Sequence, residues 1–192
     1  MVNSNNEERK SDDGQRKLRR IALASFTLMM VAATLVIILL QMSGYGGTME
    51  DTQLGFDAEI IKSYFSLMGP TELGLFITAN LADYLFILFY GIFFFSAARL
   101  ISWNYKSSFP KKIGLSLAWI GVIAAVLDGI ENVFLLSMTA DPVGFPGWLA
   151  IAHSSFALAK FLSMYVAMAW LIVGFVVNRT PLATHLMSSQ IA

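Results

Sequence analysis

Four stretches of this chain are too long and too apolar to be left in water, and their positions constrain everything else. A helix needs about 20 mostly apolar residues to cross the hydrocarbon core of a bilayer. Stretches 21–41, 73–98, 113–138 and 147–177 meet that requirement. The first, IALASFTLMMVAATLVIILLQ, carries no charge; the second holds Asp83, the third Asp128 and Glu131, and the fourth Lys160. The expected fold is therefore all-α, an integral membrane protein built as a four-transmembrane-helix bundle. Only 14% of the residues are charged, against about 25% in soluble domains, which fits a surface facing lipid.

The first span is expected to stay in place as an anchor. Its apolar run exceeds the roughly 7–15 residues of a secretory signal core, and no small-x-small cleavage site follows in QMSGYGG. The domain plan is then a disordered cytoplasmic segment 1–20, a transmembrane domain 21–178 and a cytoplasmic tail 179–192. Orientation follows from lysine and arginine beside the spans. The N-terminal segment has six, the 99–112 connection has Arg99, Lys106, Lys111 and Lys112, and the tail has Arg179. The other two loops have only Lys62, together with acidic residues such as Glu50, Asp51, Asp57 and Asp141. Both termini are expected in the cytoplasm of a cell whose plasma membrane holds the protein. That orientation keeps the Asn178-Arg179-Thr180 sequon away from glycosylation. Trp148, Trp103 and Tyr105 have the placement of interfacial anchors.

The first connection is long. Asp57 is a suitable N-cap, and Ile60, Ile61, Tyr64, Phe65 and Met68 recur at helical spacing before Gly69-Pro70. A short interfacial helix is expected from about Asp57 to Met68, acting as a connector or as a lid. Gly121, Ala125 and Gly129 form a small-residue ridge on the third span, of the kind that lets helices approach closely.

Charged side chains within the bilayer are costly and persist by facing the bundle interior and finding partners. Asn80, Asp83, Tyr84 and Tyr90 fall on one side of span two. Asp128, Glu131 and Asn132 share a face of span three, and His153 and Lys160 a face of span four. At about 1.5 Å per residue, Asp83 and Asp128 each lie about 15 Å below the outer ends of their spans. Glu131 and His153 lie about 10 Å down and Lys160 about 20 Å. The three spans therefore place their polar groups in one layer. Three carboxylates face one ammonium there, a surplus that calls for a proton or a cation. Span one contributes no charge and is expected at the periphery or against a second subunit.

The absence of cysteine rules out disulfides, thiolate nucleophiles and cysteine-ligated metals. Only two histidines exist, His153 and His185. No nucleic-acid or nucleotide signature is present. Three readings remain open. The cluster of Asp83, Asp128, Glu131, Asn132, Lys160, Asn80 and Tyr84 could bind a proton, cation or small ligand, with Tyr84, Tyr90, Phe86 and Trp119 as aromatic walls. A divalent metal on His153, Asp128 and Glu131 could support a hydrolase acting on a lipid. Or the cluster could only hold the bundle together. The partners expected are membrane lipid and, for a transporter of four spans, a second copy of the chain.

Overall fold

The computed structural model describes the backbone of residues 2–103 and 108–177. Among them are six helices: α1 (Val2–Met42), α2 (Met49–Thr52), α3 (Ala58–Ser66), α4 (Pro70–Trp103), α5 (Ser108–Met138) and α6 (Gly147–Val177). Four of these, α1, α4, α5 and α6, are long and apolar enough to cross a membrane. The protein is an all-α four-helix membrane bundle. The tail 179–192, the Asn178-Arg179-Thr180 sequon and Tyr105 lie outside the described residues.

Helix α4 is the central element. It packs along α1 on one side and α5 on the other, and it also touches α6, which lies chiefly against α5. The α4–α5 contact is close because small residues line it. A Cβ added at Gly121 would stand 2.5 Å from the Cβ of Phe94, and one at Gly91 would stand 2.9 Å from that of Ala125. The ridge read from the sequence thus faces α4. Helix α1 meets the bundle mainly through α4 and leaves Leu23, Val31 and Ile37 exposed for lipid, the peripheral place expected of a span without charge.

Helix α1 also begins earlier than expected. The polar stretch 1–20, read as disordered, is helical from Val2. It holds no proline, and Glu, Gln, Lys and Arg are good helix formers. Extending an existing helix avoids the unfavourable nucleation step.

The two ends of the bundle differ. One end carries the 43–69 and 139–146 connections and is called the loop end here; the other carries Arg16, Lys17, Arg99, Lys111 and Lys112 and is called the basic end. At the loop end α3 is capped as anticipated: the Asp57 side chain accepts a hydrogen bond from Glu59 N at 2.8 Å. The helix does more than lie on a surface. Ile61 and Phe65 are buried and pack with Phe76, Leu135 and Phe145 from three other parts of the chain. Phe56, just before the cap, adopts a left-handed φ of 54°, and its N–H donates to Ser154 Oγ of α6 at 3.2 Å. Together, 43–66 form a roof fastened across the bundle.

Phe65 is therefore expected to hold the roof down. Phe65→Ala should lower the unfolding free energy by about 3 kcal/mol, as large-to-small core changes do. Leu67→Ala, at a side chain 83% exposed, should change it by less than about 0.5 kcal/mol. Unfolding in mixed sodium dodecyl sulfate micelles measures both.

Candidate functional site

The polar side chains of α4, α5 and α6 meet at one level, and their contacts form a chain. Lys160 on α6 lies 2.7 Å from Asp128 Oδ1 and 2.5 Å from Glu131 Oε2, both on α5. Tyr90 on α4 donates to the other oxygen of Asp128 at 3.0 Å. Asn132 on α5 donates to Asp83 Oδ2 on α4 at 2.7 Å. Tyr84 reaches across α4 and α5 to the Gly129 carbonyl at 3.0 Å. Asp128, Glu131, Asn132, His153 and Lys160 are all buried, and Asp83 is half-buried. The reason is the spacing. Residues 128, 131 and 132 occupy one face of a helix, and alternating helix directions bring that face level with Asp83 and Lys160.

His153 joins the chain at its loop-end edge. Its Nδ1 lies 3.4 Å from the Glu131 carbonyl oxygen. A carbonyl only accepts, so with the hydrogen on Nδ1 the Nε2 atom presents a lone pair. Nε2 makes no hydrogen bond of good geometry. Glu131 Oε1 stands 3.8 Å from it, and the Thr52 main chain lies alongside.

Above His153, beneath the roof, is a cavity of about 190 Å³. Tyr45, Gln53, Phe76, Asn80 and His153 line it. Asn80 donates to the Phe76 carbonyl of its own helix at 2.8 Å. The Tyr45 ring packs 4.6 Å from that of Phe76, centroid to centroid, and Gly47 lets the strap bend tightly against Tyr45 and Thr52. Tyr45 Oη, Gln53 Oε1, Glu131 Oε1 and His153 Nε2 are buried and make no hydrogen bond of good geometry among the described residues, although Thr52 lies beside both the Tyr45 phenol and the His153 ring. Buried polar atoms without partners are few in folded proteins. Here three of the four belong to residues lining one small space. Burial pushes the Tyr45 phenol well above its ordinary range, so it keeps a hydrogen to donate. The Tyr64 phenol on α3 is raised chiefly by its hydrogen bond to Asp51, at 3.1 Å.

The sequence-derived residues thus divide. Asp83, Asp128, Glu131, Asn132 and Lys160 come together, with His153 adjoining. Asn80 faces the cavity, and Tyr84 ties α4 to α5. Trp119, expected as an aromatic wall, stands 54% exposed on the lipid side, edge-on to Phe95. Its place on α5 lies away from the 128–132 face. Among the described residues, no three His, Asp or Glu side chains stand so as to hold a metal ion. The Lys160 ammonium lies between Asp128 and Glu131, two of the three residues read from the sequence as metal ligands with His153. Tyr45, Thr52 and Gln53 were not legible as site residues. Their segment reads as a glycine-rich linker, and only the isolated tyrosine in SGYGG hints at more. Compared with known proteins, the chain matches no family model, no curated sequence and no solved structure.

Removing one partner of a buried ion pair leaves the other uncompensated and typically costs about 3–5 kcal/mol. Lys160→Met is expected to destabilise by that amount. Adding Asp128→Asn and Glu131→Gln should restore more than half of the loss, because the stranded charges go too. Failure of the triple variant to recover, in the same micelle assay, would show that Lys160 acts through packing and not through charge.

Proposed function

We propose that this multi-pass membrane protein binds a small organic ammonium in the cavity between the ion cluster and the roof. The observation that carries the reading is the set of four buried polar atoms without a hydrogen bond of good geometry at the cavity and its edge. Gln53 Oε1, Glu131 Oε1 and, in the neutral ring, His153 Nε2 are acceptors, while Tyr45 Oη can serve either way. An acceptor-rich space is matched by a guest rich in N–H donors. Asp83, Asp128 and Glu131 exceed Lys160 in formal charge, which favours a cation. The Tyr45 and Phe76 rings add faces that attract one. At about 30 Å³ per water-sized group, the space suits a guest of about six non-hydrogen atoms.

In this reading the satisfied contacts and the open ones have separate duties. Lys160, Asp128, Tyr90, Asp83 and Asn132 hold three helices in register. His153, Gln53, Tyr45 and the free oxygen of Glu131 meet the guest. Entry runs through the loop end, where displacement of the roof would expose the cavity. The positive-inside rule places the basic end in the cytoplasm and the cavity toward the outer side of the cell membrane.

Thermal unfolding of the detergent-purified protein tests the binding reading. At ten times its dissociation constant, pentylammonium, a cation of the size the cavity suits, should stabilise the protein by about 1.4 kcal/mol. His153→Phe and Gln53→Leu should abolish the response while remaining folded. Tetramethylammonium, which has no N–H to donate, should be far weaker. An equal response to both cations, or none at either, sinks the proposal.

Orientation has its own test, since the chain has no cysteine. In intact cells, a membrane-impermeant maleimide should label Ser63→Cys and not Lys17→Cys. The reverse pattern would invert the topology and move the cavity to the cytoplasmic side.

A further inference from the structure

The α4–α5 seam carries a second site, unconnected with the cavity and at the opposite end of the bundle. At the basic end, a cleft of about 350 Å³ is lined by Arg99, Ser102 and Trp103 of α4 and by Lys111, Lys112 and Leu115 of α5. Three cations converge there from two helices. None of them makes an ion pair with an acidic side chain among the described residues. The Arg99 guanidinium lies over the Phe95 ring, 5.8 Å from its centre.

Phe95 begins a second feature. Below it, along the same two helices, runs an apolar groove of about 460 Å³, lined by Leu88, Gly91, Ile92, Phe95, Trp119 and Val126, among others. Its floor is the close approach of Gly91 and Ala125, where neither helix offers bulk. Its walls are half or more exposed at Leu88, Trp119 and Val126. One helical turn separates Arg99 from Phe95, and another separates Leu115 from Trp119, so the cleft and the groove follow one another along the same seam. From Leu115 to Val126 the seam extends about 16 Å at 1.5 Å per residue, close to the depth of one leaflet of a ~30 Å hydrocarbon core.

We infer that one anionic phospholipid lies in this seam, its phosphate among Arg99, Lys111 and Lys112 and an acyl chain in the groove down to Tyr84. A soluble phosphate would need the cleft and have no use for the groove. A neutral lipid would fill the groove and leave three cations without a counter-charge. The union of both along one pair of helices selects a molecule with an anionic head and a hydrocarbon tail. Basic pockets between spanning helices are recognised settings for such headgroups.

Native mass spectrometry of the full chain, released from detergent with added lipid, reads the occupancy. Phosphatidylglycerol should bind one copy about tenfold or more tighter than phosphatidylcholine, given the attraction of several basic residues near a headgroup. The variant R99Q/K111Q/K112Q should lose that preference, whereas R19Q/R20Q on α1 should keep it. Val126→Trp fills the groove from its lipid-facing wall, so it leaves the helix contact intact; it should weaken phosphatidylglycerol binding on the order of tenfold. Glycerol 1-phosphate, the head without a tail, should not bind at comparable concentration. Three results would each overturn the inference: an unchanged preference in the triple variant, unchanged affinity in Val126→Trp, or equal binding of glycerol phosphate. Should the triple variant fail to fold, the groove variant and the headgroup probe decide the matter between them.

Discussion

Everything in the bundle hangs on one requirement: a charge placed among spanning helices must find its partner there. Lys160 meets it by bridging to two carboxylates on the neighbouring helix. The chain of contacts then passes through Asp128 to Tyr90, and by Asn132 to Asp83, so that α6, α5 and α4 are pinned at a single level. Sliding α5 by one turn would move its carboxylates about 5 Å, away from both Lys160 and Tyr90. Close packing alone would not set register so firmly, since apolar side chains of similar size are interchangeable. Helix α1 has no part in this chain and no charge in its apolar span, and it stands on the outside of α4.

Much of this was legible because membrane helices obey few rules. Length and hydropathy mark the spans, and the spacing of Asp128, Glu131 and Asn132 marks a shared face. Counting residues inward from each span end puts Asp83, Asp128 and Lys160 near one depth. What could not be read is which partner each group chooses. Periodicity gives an angle about one helix axis, not the rotation of two helices against each other. Lys160 was therefore compatible with either Asp83 or Asp128 until the packing was known, and its contact with Glu131 was not foreseen. The same ambiguity put Trp119 among the cluster's walls, although it faces lipid. The roof was legible as a capped helix at Asp57, yet nothing in its pattern tells that Ile61 and Phe65 point down into the bundle. Tyr45 and Gln53 come from a strap whose shape depends on Gly47 and on the Phe56 turn, neither of which has a periodic signature.

The polar residues also fall into two energetic classes. Asp128 has both oxygens engaged, by Lys160 and by Tyr90. Groups so satisfied have little capacity left for a guest, and their value lies in holding geometry. Glu131 differs: one oxygen meets Lys160, and the other looks toward His153 without a hydrogen bond. It stands at the border between the closed network and the open cavity. A guest bound at that border would meet an acceptor already fixed in place by the ion pair behind it. Pre-positioned acceptors lose less freedom on binding than mobile ones, which is the general advantage of preorganisation.

The roof adds the last constraint. It closes the cavity with residues from a strap between α1 and α4, so the peripheral helix supplies the site's cover without supplying a charge. The strap contains Phe56 in a conformation that residues with side chains seldom adopt, a strain of about 1–3 kcal/mol, and the Ser154 hydroxyl, one residue from His153, holds it there. Opening the roof would break that hydrogen bond and release the strain in the same step, so the two partly offset. Phe65 and Ile61 resist opening by their burial. The balance between those terms sets how firmly the roof is closed, and none of them involves the contacts of Lys160 with Asp128 and Glu131.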